Sequence, residues 1–470
     1  MPREGGEKVQ EPVVVRSPYS GEVVGEVPAT PEDSVPAVVA AAVSGSEWMA
    51  RQPTHRRAEL LERAADLMEA DLDEFSRTLT AEVGKPTHEA RREAGRAALV
   101  VRWSAEEIRR RTGEVLTMDA LPMGEGRLGY TTWEPCGVVV AITPFNYPAH
   151  LGAHKIAPAL AAGNSVILKP PNVTPLSGSF MHEKFLEVGF PEEAFQVAFG
   201  SGPRIGGALC ADRRVRKISF TGSVPVGEDI ARTAGLKRLT CELGANCALL
   251  VFEDADLEAA AAAAVQSGFV NSGQVCTSVQ RILVARAVRD EFVSLVAARI
   301  DSLKLGDPAE VETTMGPVIA EREAERITGW FAEAAGQGAT IARGGGREGR
   351  LVEPTLVLDP PVESKIWREE LFGPGVAVRT FDTTEDATRI ANDTRYGLSV
   401  GVFTTDLDRA MNLSRALRSG SVHVNSGPLW RTAFQPYGGF GDSGFGKEGV
   451  KYAIQEMSEQ KLVVIHPAHG

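Results

Sequence analysis

The chain has 470 residues, of which 50 are Lys or Arg and 62 are Asp or Glu, so its formal net charge is −12. Hydrophobic residues make up 43% and charged residues 24%, proportions that exclude disorder along the whole chain. The acidic balance argues against a nucleic-acid partner, because phosphate binding needs a basic face. One core cannot hold this many residues, so two or three domains are expected.

No segment is predicted to enter a membrane or to direct export. The most apolar region, 136–168, is interrupted by three prolines, a lysine and a glycine, well short of the ~20 unbroken apolar residues of a span. The opening MPREGGEKVQEP lacks the apolar core of a signal peptide. The five cysteines are scattered without a C-x-x-C pair, which favours a reducing compartment. These features predict a cytoplasmic protein without disulfides or a metal site.

The first half of the chain is predicted to begin with helices and to continue as alternating strands and helices. Apolar residues at helical spacing predict one amphipathic helix over 55–76, and a second helix is predicted over 89–111. Short β-rich runs then alternate with helical pieces, the runs at 137–143, 165–169, 195–199 and 216–220, and the pieces at 152–162 and 177–188. This alternation is typical of parallel βαβ units.

The second half repeats the pattern. Residues 246–252 are predicted as a buried strand, followed by an alanine-rich helix with Asp254 or Asp256 as its N-cap. Three more strands and a helix are predicted, the strands at 281–285, 375–381 and 399–405 and the helix at 289–303. The predicted fold class is therefore α/β, with two α/β domains and additional terminal segments.

Two glycine-rich turns follow predicted strands. GSGPRIGG contains Gly202 and Gly206, and TGSVPVG contains Gly222 and Gly227. Backbone amides at strand-to-helix turns of this kind can bind a phosphate at a helix N-terminus. Neither turn has the G-x-G-x-x-G spacing, and tight turns need glycine for conformational reasons alone. Each loop taken singly is explained equally well as a turn.

Cys276, in NSGQVCTSVQR, differs from the other four cysteines in its small and polar neighbours. Most free cysteines are buried packing residues, and Cys136, Cys210 and Cys247 lie in or beside apolar segments that fit this role. A nucleophilic thiol needs access and polar surroundings. Cys276 is therefore the candidate nucleophile.

Glu242 in LTCELGAN and Asn146 in TPFNYP are candidate partners for that thiol. Apolar surroundings would raise the pKa of Glu242, which suits a general base near neutral pH, whereas the alternative is a paired or solvated glutamate. Prolines on both sides stiffen the loop of Asn146. A rigid amide donor can stabilise an oxyanion, whereas the alternative is a turn residue that bonds its own backbone.

Seven motifs occur in order along the chain. They are ITPFNYP (142–148), KPPNVTP (169–175), FTGSVPVG (220–227), CELGAN (241–246), GQVCTS (273–278), EELFGP (369–374) and GGFGDSGFGKEG (438–449). In content and spacing they resemble those of the NAD(P)-dependent aldehyde dehydrogenase superfamily, over nearly the whole chain. The likeness is greatest to lactaldehyde, non-phosphorylating glyceraldehyde-3-phosphate and phosphonoacetaldehyde dehydrogenase-like members.

The resemblance implies a role for each of the three candidates. Cys276 matches the nucleophile that attacks the aldehyde carbon. Asn146 matches the side-chain donor that holds the oxyanion together with the backbone N–H of the cysteine. Glu242 matches the base that activates water to hydrolyse the thioester, and its presence argues against the branch that transfers the acyl group to coenzyme A. The implied reaction is irreversible oxidation of an aldehyde to its acid.

NADP or NAD is the implied cofactor. The positions that match cofactor contacts are Thr143, Phe145, Lys169, Asn172, Gly202, Gly206, Phe220, Gly222, Ser223, Leu243, Glu370 and Phe372. NAD-preferring members usually carry Glu where this chain has Asn172. An amide does not repel a 2′-phosphate as a carboxylate does, so NADP is predicted to be accepted. Arg204 is either a further phosphate contact or a solvated surface residue.

The substrate is predicted to be a small hydroxylated or anionic aldehyde. Arg102 and Arg431 are the candidates to bind its anion, because Arg suits carboxylates and phosphates. Trp430 and Phe434 either wall the pocket or fill the core. One alternative is an NAD-specific aldehyde dehydrogenase with broad aliphatic specificity. Another is a catalytically silent cofactor-binding protein, against which the intact catalytic residues argue.

The resemblance also implies a three-part architecture. A variant Rossmann domain that binds NAD(P) would comprise 1–115 and 136–244, and an α/β catalytic domain would comprise 245–440. A small β oligomerisation element would comprise 116–135 and 441–470. In the family this element pairs strands between subunits, so a homodimer or homotetramer is implied.

Overall fold

The computed structural model describes residues 11–467, so the first ten and last three residues of the predicted domain segments lie outside the described part. Its strands are β1 (Val13–Arg16), β2 (Val23–Val27), β3 (Val115–Leu116), β4 (Leu128–Pro135), β5 (Val138–Ile142), β6 (Ser165–Lys169), β7 (Phe195–Val197), β8 (Val215–Thr221), β9 (Arg238–Glu242), β10 (Cys247–Val251), β11 (Val279–Ala285), β12 (Thr340–Arg343), β13 (Arg347–Glu348), β14 (Leu351–Val352), β15 (Thr355–Leu358), β16 (Gly375–Phe381), β17 (Ser399–Phe403), β18 (Ser421–Val424), β19 (Gly444–Phe445) and β20 (Ser458–Ile465).

Helices account for most of the remaining regular structure. They are α1 (Val35–Arg51), α2 (Thr54–Ala70), α3 (Leu72–Val83), α4 (Thr87–Arg110), α5 (Pro148–Ala162), α6 (Leu176–Glu187), α7 (Gly207–Ala211), α8 (Val224–Ala234), α9 (Leu257–Phe269), α10 (Arg289–Asp301), α11 (Glu321–Gly336), α12 (Lys365–Arg368), α13 (Thr384–Asn392), α14 (Leu407–Ala416) and α15 (Val450–Glu456). Within residues 11–467, no helix combines the length and the apolar character that a membrane crossing requires.

The first large sheet has six strands in the order β19-β9-β8-β5-β6-β7. All neighbours are parallel except the pair β19–β9. From β5 the chain proceeds outward to β6 and β7, then returns to the other side of β5 for β8 and β9. Ligands of open parallel sheets bind where the strand order reverses, outside the carboxyl ends of the strands. That point lies between β5 and β8.

The second large sheet has seven strands in the order β12-β15-β16-β11-β10-β17-β18. Only the edge pair β12–β15 is antiparallel. A smaller sheet, β20-β4-β3, pairs the eight residues of β20 with β4. It joins a segment before β5 to the end of the chain, as the predicted oligomerisation element does. The domain bounds themselves stay a prediction.

Both large sheets are buried on both faces, which explains their continuous apolar runs. In β5, Val139 and Ala141 belong to a core formed with α2, α4 and α5, while Val138 and Val140 face a second core with α1 and α8. Strand β10 divides its residues between two further cores in the same way. Runs such as GVVVAIT therefore lack the alternation of a half-exposed strand.

Two predicted helices are wrong in their bounds. The single helix predicted over 55–76 is two helices that meet at Asp71, whose carboxylate bonds Lys184 of α6 at 2.5 Å. Helix α5 begins at Pro148, four residues before the predicted start. Proline favours the first helical position, and the N–H groups of Ala149 and His150 are bonded by Glu93 of α4. Both bounds depend on contacts with distant helices.

Candidate active site

The residues predicted to contact a cofactor surround one crevice at the switch point between β5 and β8. Its inner part is a cavity of about 480 Å³. The predicted residues that line this part are Thr143, Phe145, Asn146, Phe220, Gly222, Ser223, Leu243, Cys276, Glu370 and Phe372. The thiol and the predicted cofactor contacts therefore share one cavity.

The crevice continues into an outer cavity of about 720 Å³. Thr143 and Phe220 line both parts. The outer part adds Lys169, Asn172, Gly202 and Gly206. Every predicted cofactor residue thus lines one of the two cavities, whereas Arg204 is exposed and lines neither.

A strained loop places Cys276 on the wall of the inner cavity. Asn271, Ser272 and Gly273 have φ values of 49°, 56° and 70°. These values lie in the left-handed region, which residues other than glycine rarely adopt. A Cβ at Gly273 would lie 2.0 Å from the carbonyl oxygen of Gly373, so only glycine fits there. Strain of this kind persists where surrounding contacts fix it, and it is frequent at active sites.

Burial makes the Cys276 thiol a weak acid in the free enzyme. It raises the pKa of the thiol to about 11, and the hydroxyl of Tyr437, 3.1 Å from Sγ, acts in the opposite direction. The negative charges of Glu242 and Glu370 raise the pKa further, whereas Arg431 lowers it. The reactive thiolate form is therefore scarce at neutral pH unless a neighbouring group stabilises it.

Asn146 is held rigidly at the start of α5. Its Nδ2 donates to the carbonyl of Gln274 at 2.7 Å, which ties it to the loop of Cys276. Its own carbonyl accepts from Lys85 Nζ at 2.8 Å and from Asn271 Nδ2 at 3.2 Å. Lys85 in turn pairs with Glu93 where neither side chain reaches solvent. A donor fixed by buried contacts needs no reorganisation when negative charge develops beside it.

Glu242 ends β9 as a buried carboxylate. Neither of its oxygens has a hydrogen-bond partner within the described chain, so both can accept from water. Burial, and then the charge of Glu448, raise the pKa of Glu242 well above its usual range. Of these two carboxylates, Glu448 is the one that stays ionised, because it accepts hydrogen bonds from Lys155 and from Arg431. The arrangement leaves Glu242 as the proton acceptor.

The crevice fits a dinucleotide. A side chain at Gly202 or Gly206 would meet no atom within 4 Å, so a ligand can approach that backbone freely. Glu370 bonds the amide of Ala245 at 2.9 Å, and burial raises its pKa to about 7. Lys169 donates to its neighbour Pro170 at 2.7 Å, and burial lowers its pKa to about 8. Glu370 suits ribose hydroxyls, and Lys169 suits a phosphate or the second ribose.

The two predicted substrate arginines occupy different places. Arg102 of α4 pairs with Asp66 and Glu69 of α2 on the outside of the molecule. Arg431 is 8% exposed and lies over the ring of Tyr437, 3.6 Å from its centre. The structure therefore brings Arg431 to the thiol and keeps Arg102 away from it.

A further cavity of about 340 Å³ contains arginines that sequence reasoning missed. It is lined by Arg92, Arg96, Tyr147, Trp430 and Arg431, among others. Arg96 Nη2 donates to the carbonyl of Arg431 at 3.5 Å. Phe434 does not line this cavity but packs on Trp103, with ring centres 5.3 Å apart. The spacing of Arg92 and Arg96, one helical turn apart, is the signal that could have indicated a cationic face.

Comparisons with known proteins identify the family of this chain. The sequence profile of the aldehyde dehydrogenase family matches residues 6–463. A 3-sulfolactaldehyde dehydrogenase of Priestia aryabhattai is 41% identical over 460 residues, 98% of this chain and 96% of that protein. The chain therefore belongs to the aldehyde dehydrogenase family, whose members oxidise aldehydes with NAD or NADP.

Two solved structures share the fold over nearly their full length. Aldehyde dehydrogenase 21 of Physcomitrella patens, in complex with the reaction product succinate, has a TM-score of 0.96 at 34% identity, covering 98% of this chain and 96% of that one. A glyceraldehyde-3-phosphate dehydrogenase of Methanocaldococcus jannaschii, complexed with NADP, has a TM-score of 0.94 at 33% identity, covering 97% and 99%.

Proposed function

We propose that this enzyme oxidises a small anionic aldehyde to its carboxylic acid, with Cys276 as the nucleophile and NADP or NAD as the oxidant. The observation that carries the substrate class is the cationic cavity lined by Arg92, Arg96 and Arg431. Arg431 lines this cavity and also stacks on Tyr437, whose hydroxyl contacts the sulfur. An anion bound there would place an aldehyde group near Sγ. We call this cavity the anion cavity.

The charge balance of the anion cavity favours a negative ligand. Its two carboxylates are engaged elsewhere: Glu93 with Lys85 and the start of α5, and Glu89 with the amide of Asn271. Burial also raises the pKa of Glu89 to about 7. Within the described residues, Nε of Arg431 is buried without an acceptor. A carboxylate, phosphate or sulfonate would accept from this nitrogen and from Arg96.

The names of similar proteins support the same substrate class. Sulfolactaldehyde and glyceraldehyde-3-phosphate both carry an anionic group. The product bound to aldehyde dehydrogenase 21 is succinate, a dianion.

The chain's own residues account for the addition to the aldehyde and for the hydrolysis, and the cofactor would supply the oxidant. The Cys276 thiolate attacks the aldehyde carbon, and the electron pair of the C=O bond moves to the oxygen, which accepts from Asn146 Nδ2 and the Cys276 amide. NAD(P)⁺, held by the residues of the crevice, would supply the hydride acceptor that oxidation of this adduct to a thioester needs. Glu242 then takes a proton from water, the resulting hydroxide adds to the thioester carbon, and the thiolate of Cys276 leaves.

Lys169 and Asn172 would contact the adenosine end of the cofactor. Both line the outer cavity, and neither places a carboxylate where a 2′-phosphate would lie. We therefore infer that NADP is accepted alongside NAD. Direct titration of the enzyme with each cofactor, followed by protein fluorescence, tests this inference.

A homo-oligomer is part of the proposal. Strand β20 is the edge of its sheet, and it exposes Leu462 and Ile465 to 55% and 52%. An apolar edge strand is a surface that a second copy can cover. Light scattering on the purified protein distinguishes monomer, dimer and tetramer.

We also infer a cytoplasmic location, because none of the five cysteines is in a disulfide.

The substrate class is tested by the rate of cofactor reduction with a panel of aldehydes. We expect anionic aldehydes such as glyceraldehyde-3-phosphate, phosphonoacetaldehyde and succinic semialdehyde to have a far higher kcat/KM than propanal. Equal kcat/KM values across the panel would refute the anion requirement and favour the broad aliphatic alternative. No reduction with any aldehyde, together with tight cofactor binding, would favour the catalytically silent alternative.

The anion cavity is tested by a pair of variants on one helix. Arg96→Met removes a charged donor from the cavity, and KM for the anionic aldehyde is expected to rise about ten- to a hundredfold, as for loss of a hydrogen bond to a charged group. Arg102→Met removes an arginine of α4 that pairs with Asp66 and Glu69 of α2, and it is expected to leave KM unchanged. KM changes that are equal in the two variants would contradict the assignment.

A further inference from the structure

Tyr437 contacts the sulfur that reacts, although its hydroxyl has no part in the steps described above. Its Oη lies 3.1 Å from Sγ of Cys276, well within the range of a hydrogen bond to sulfur. The tyrosine is 7% exposed, so its hydroxyl has little access to competing solvent. In the described chain, this is the hydrogen bond that the side chain of Cys276 makes.

The tyrosine is fixed from both its backbone and its ring. Its N–H donates to the carbonyl of Glu448 at 3.1 Å, and its carbonyl accepts from the N–H of Glu448 at 2.7 Å. The guanidinium of Arg431 covers one face of the ring and is itself held by Glu448, with Nη2 at 3.3 Å from the carboxylate. The hydroxyl therefore has a defined position relative to Sγ.

The chemistry of the two groups sets the direction of the hydrogen bond. Burial, and then the charge of Cys276, raise the pKa of Tyr437 well above its usual range, so the phenol keeps its proton. A thiolate is an acceptor only. Once Cys276 has lost its proton, the hydroxyl must be the donor. A cation on the ring face, here Arg431, draws electron density from the ring and strengthens that donor.

We propose that Tyr437 is a catalytic residue of the reaction: its hydroxyl donates to the sulfur of Cys276, stabilises the thiolate before attack and stabilises it again when the thioester is cleaved. This inference rests on the role of Cys276 in the proposed function. It adds a residue that assists the nucleophile. Tyr437 forms no covalent bond and gives up no proton. It increases the fraction of Cys276 that is present as the thiolate.

Stabilising the thiolate increases the rate even though it makes each thiolate less nucleophilic. Below the thiol pKa of about 11, lowering that pKa by one pH unit raises the thiolate fraction about tenfold. The same change lowers the nucleophilicity about threefold, since it depends on the thiol pKa with a slope of about 0.4–0.5. The net gain is about threefold per pH unit at neutral pH.

Other ionisable groups also act on the thiol, and the test must hold them constant. Those that face Cys276 from the surrounding elements are Glu242, Glu370, Arg431 and the thiol of Cys247. Tyr437→Phe leaves all of them in place and keeps the ring on which Arg431 lies. This variant therefore removes the hydroxyl and little else.

The experiment measures the thiol directly in the full-length enzyme without cofactor. The alkylation rate of Cys276 by iodoacetamide is followed by peptide mass spectrometry, which separates it from the other cysteines. The thiol pKa is read from the pH dependence of the thiolate ultraviolet absorbance, after subtraction of a Cys276→Ala variant. In Tyr437→Phe we expect the pKa to rise by about one pH unit and alkylation at neutral pH to slow about threefold.

Tyr19→Phe, which removes the hydroxyl of an exposed tyrosine, is the matched control and is expected to match the wild type. An unchanged thiol pKa in Tyr437→Phe, with an unchanged melting temperature, would overturn the inference. If Tyr437→Phe melts early, Arg96→Met provides a second comparison, since it perturbs the neighbouring cavity and leaves the hydroxyl in place; an equal pKa rise there would also overturn it. Full activity of Cys276→Ala would refute the proposed function instead.

Discussion

The two ends of the crevice are built differently. At the thiol end, Glu242 and Asn146 are 2% and 3% exposed. A buried ion pair lies next to each of them, Lys155–Glu448 near Glu242 and Lys85–Glu93 near Asn146. At the adenosine end, Asn172 and Gly202 are exposed and the backbone is open to an approaching ligand, with Lys169 as the buried exception. One end fixes the position and protonation of its groups by burial. The other offers contacts to a ligand in a solvated groove.

This difference predicts where substitutions matter most. Electrostatic interactions are strong in a water-excluded site and weak where solvent screens them. A change at the thiol end should therefore alter kcat by orders of magnitude. A change at the adenosine end should alter cofactor affinity by about tenfold or less. Such a ranking of effects can be measured.

The largest effect is expected for Glu242→Gln. An amide cannot take a proton from water, so steady-state kcat should fall about 10²–10⁴-fold, as for removal of a general base. The raised pKa of Glu242 gives the wild-type rate a rise with pH as the carboxyl ionises, and the variant should lose that rise. Steady-state kinetics across pH check both points. Glu310→Gln, at an exposed site, is the control.

The next largest effect is expected for Asn146→Ala. Loss of one oxyanion donor costs about 10²–10³-fold in kcat. KM for the aldehyde should change little, because the donor acts on the adduct. Kinetics with saturating cofactor measure both constants, and Asn412→Ala, at an exposed position of α14, provides the comparison. A rise in KM with kcat intact would assign Asn146 to substrate binding.

A moderate effect is expected for Asn172→Glu at the solvated end. A carboxylate beside the 2′-phosphate should weaken NADP binding about tenfold, the size of a partly screened charge repulsion. NAD binding should stay the same or improve. Equilibrium titration with both cofactors gives the ratio. An unchanged NADP affinity would place the phosphate elsewhere.

The smallest effect is expected from pH at the same end. Burial lowers the pKa of Lys169 to about 8, so the ammonium is charged below that pH and loses its charge as pH rises through it. NADP affinity should therefore fall a few-fold over this interval, while NAD affinity changes less. Titrations on both sides of about pH 8 measure this, and Lys169→Met should remove the pH dependence.

Much of this site was predictable because its chemistry lies in short motifs. Cys276, Glu242 and Asn146 stand in motifs whose order identified the family, and Cys276 and Asn146 line one cavity. The strands at β5 and β10 were predictable from unbroken apolar runs. The N-cap of the alanine-rich helix, left open between two aspartates, is Asp256, which accepts from the amide of Ala259 at 3.0 Å.

The parts that could not be predicted depend on which faces pack together. Arg96 and Arg102 lie on one helix, six residues apart, which turns the side chain by about 240° around the axis. The sequence does not show which of these directions faces the thiol. Tyr437 and Glu448 likewise contact Cys276 and Lys155, which lie far away along the chain.

The most direct test of the account is to trap the covalent intermediate. Glu242→Gln is mixed with NADP⁺ and the anionic aldehyde that the wild type oxidises fastest, and the protein is analysed by intact and peptide mass spectrometry. We expect an adduct on the Cys276 peptide with the mass of the aldehyde less two hydrogen atoms, which is the thioester. An adduct on another cysteine, or undiminished turnover without any adduct, would contradict it.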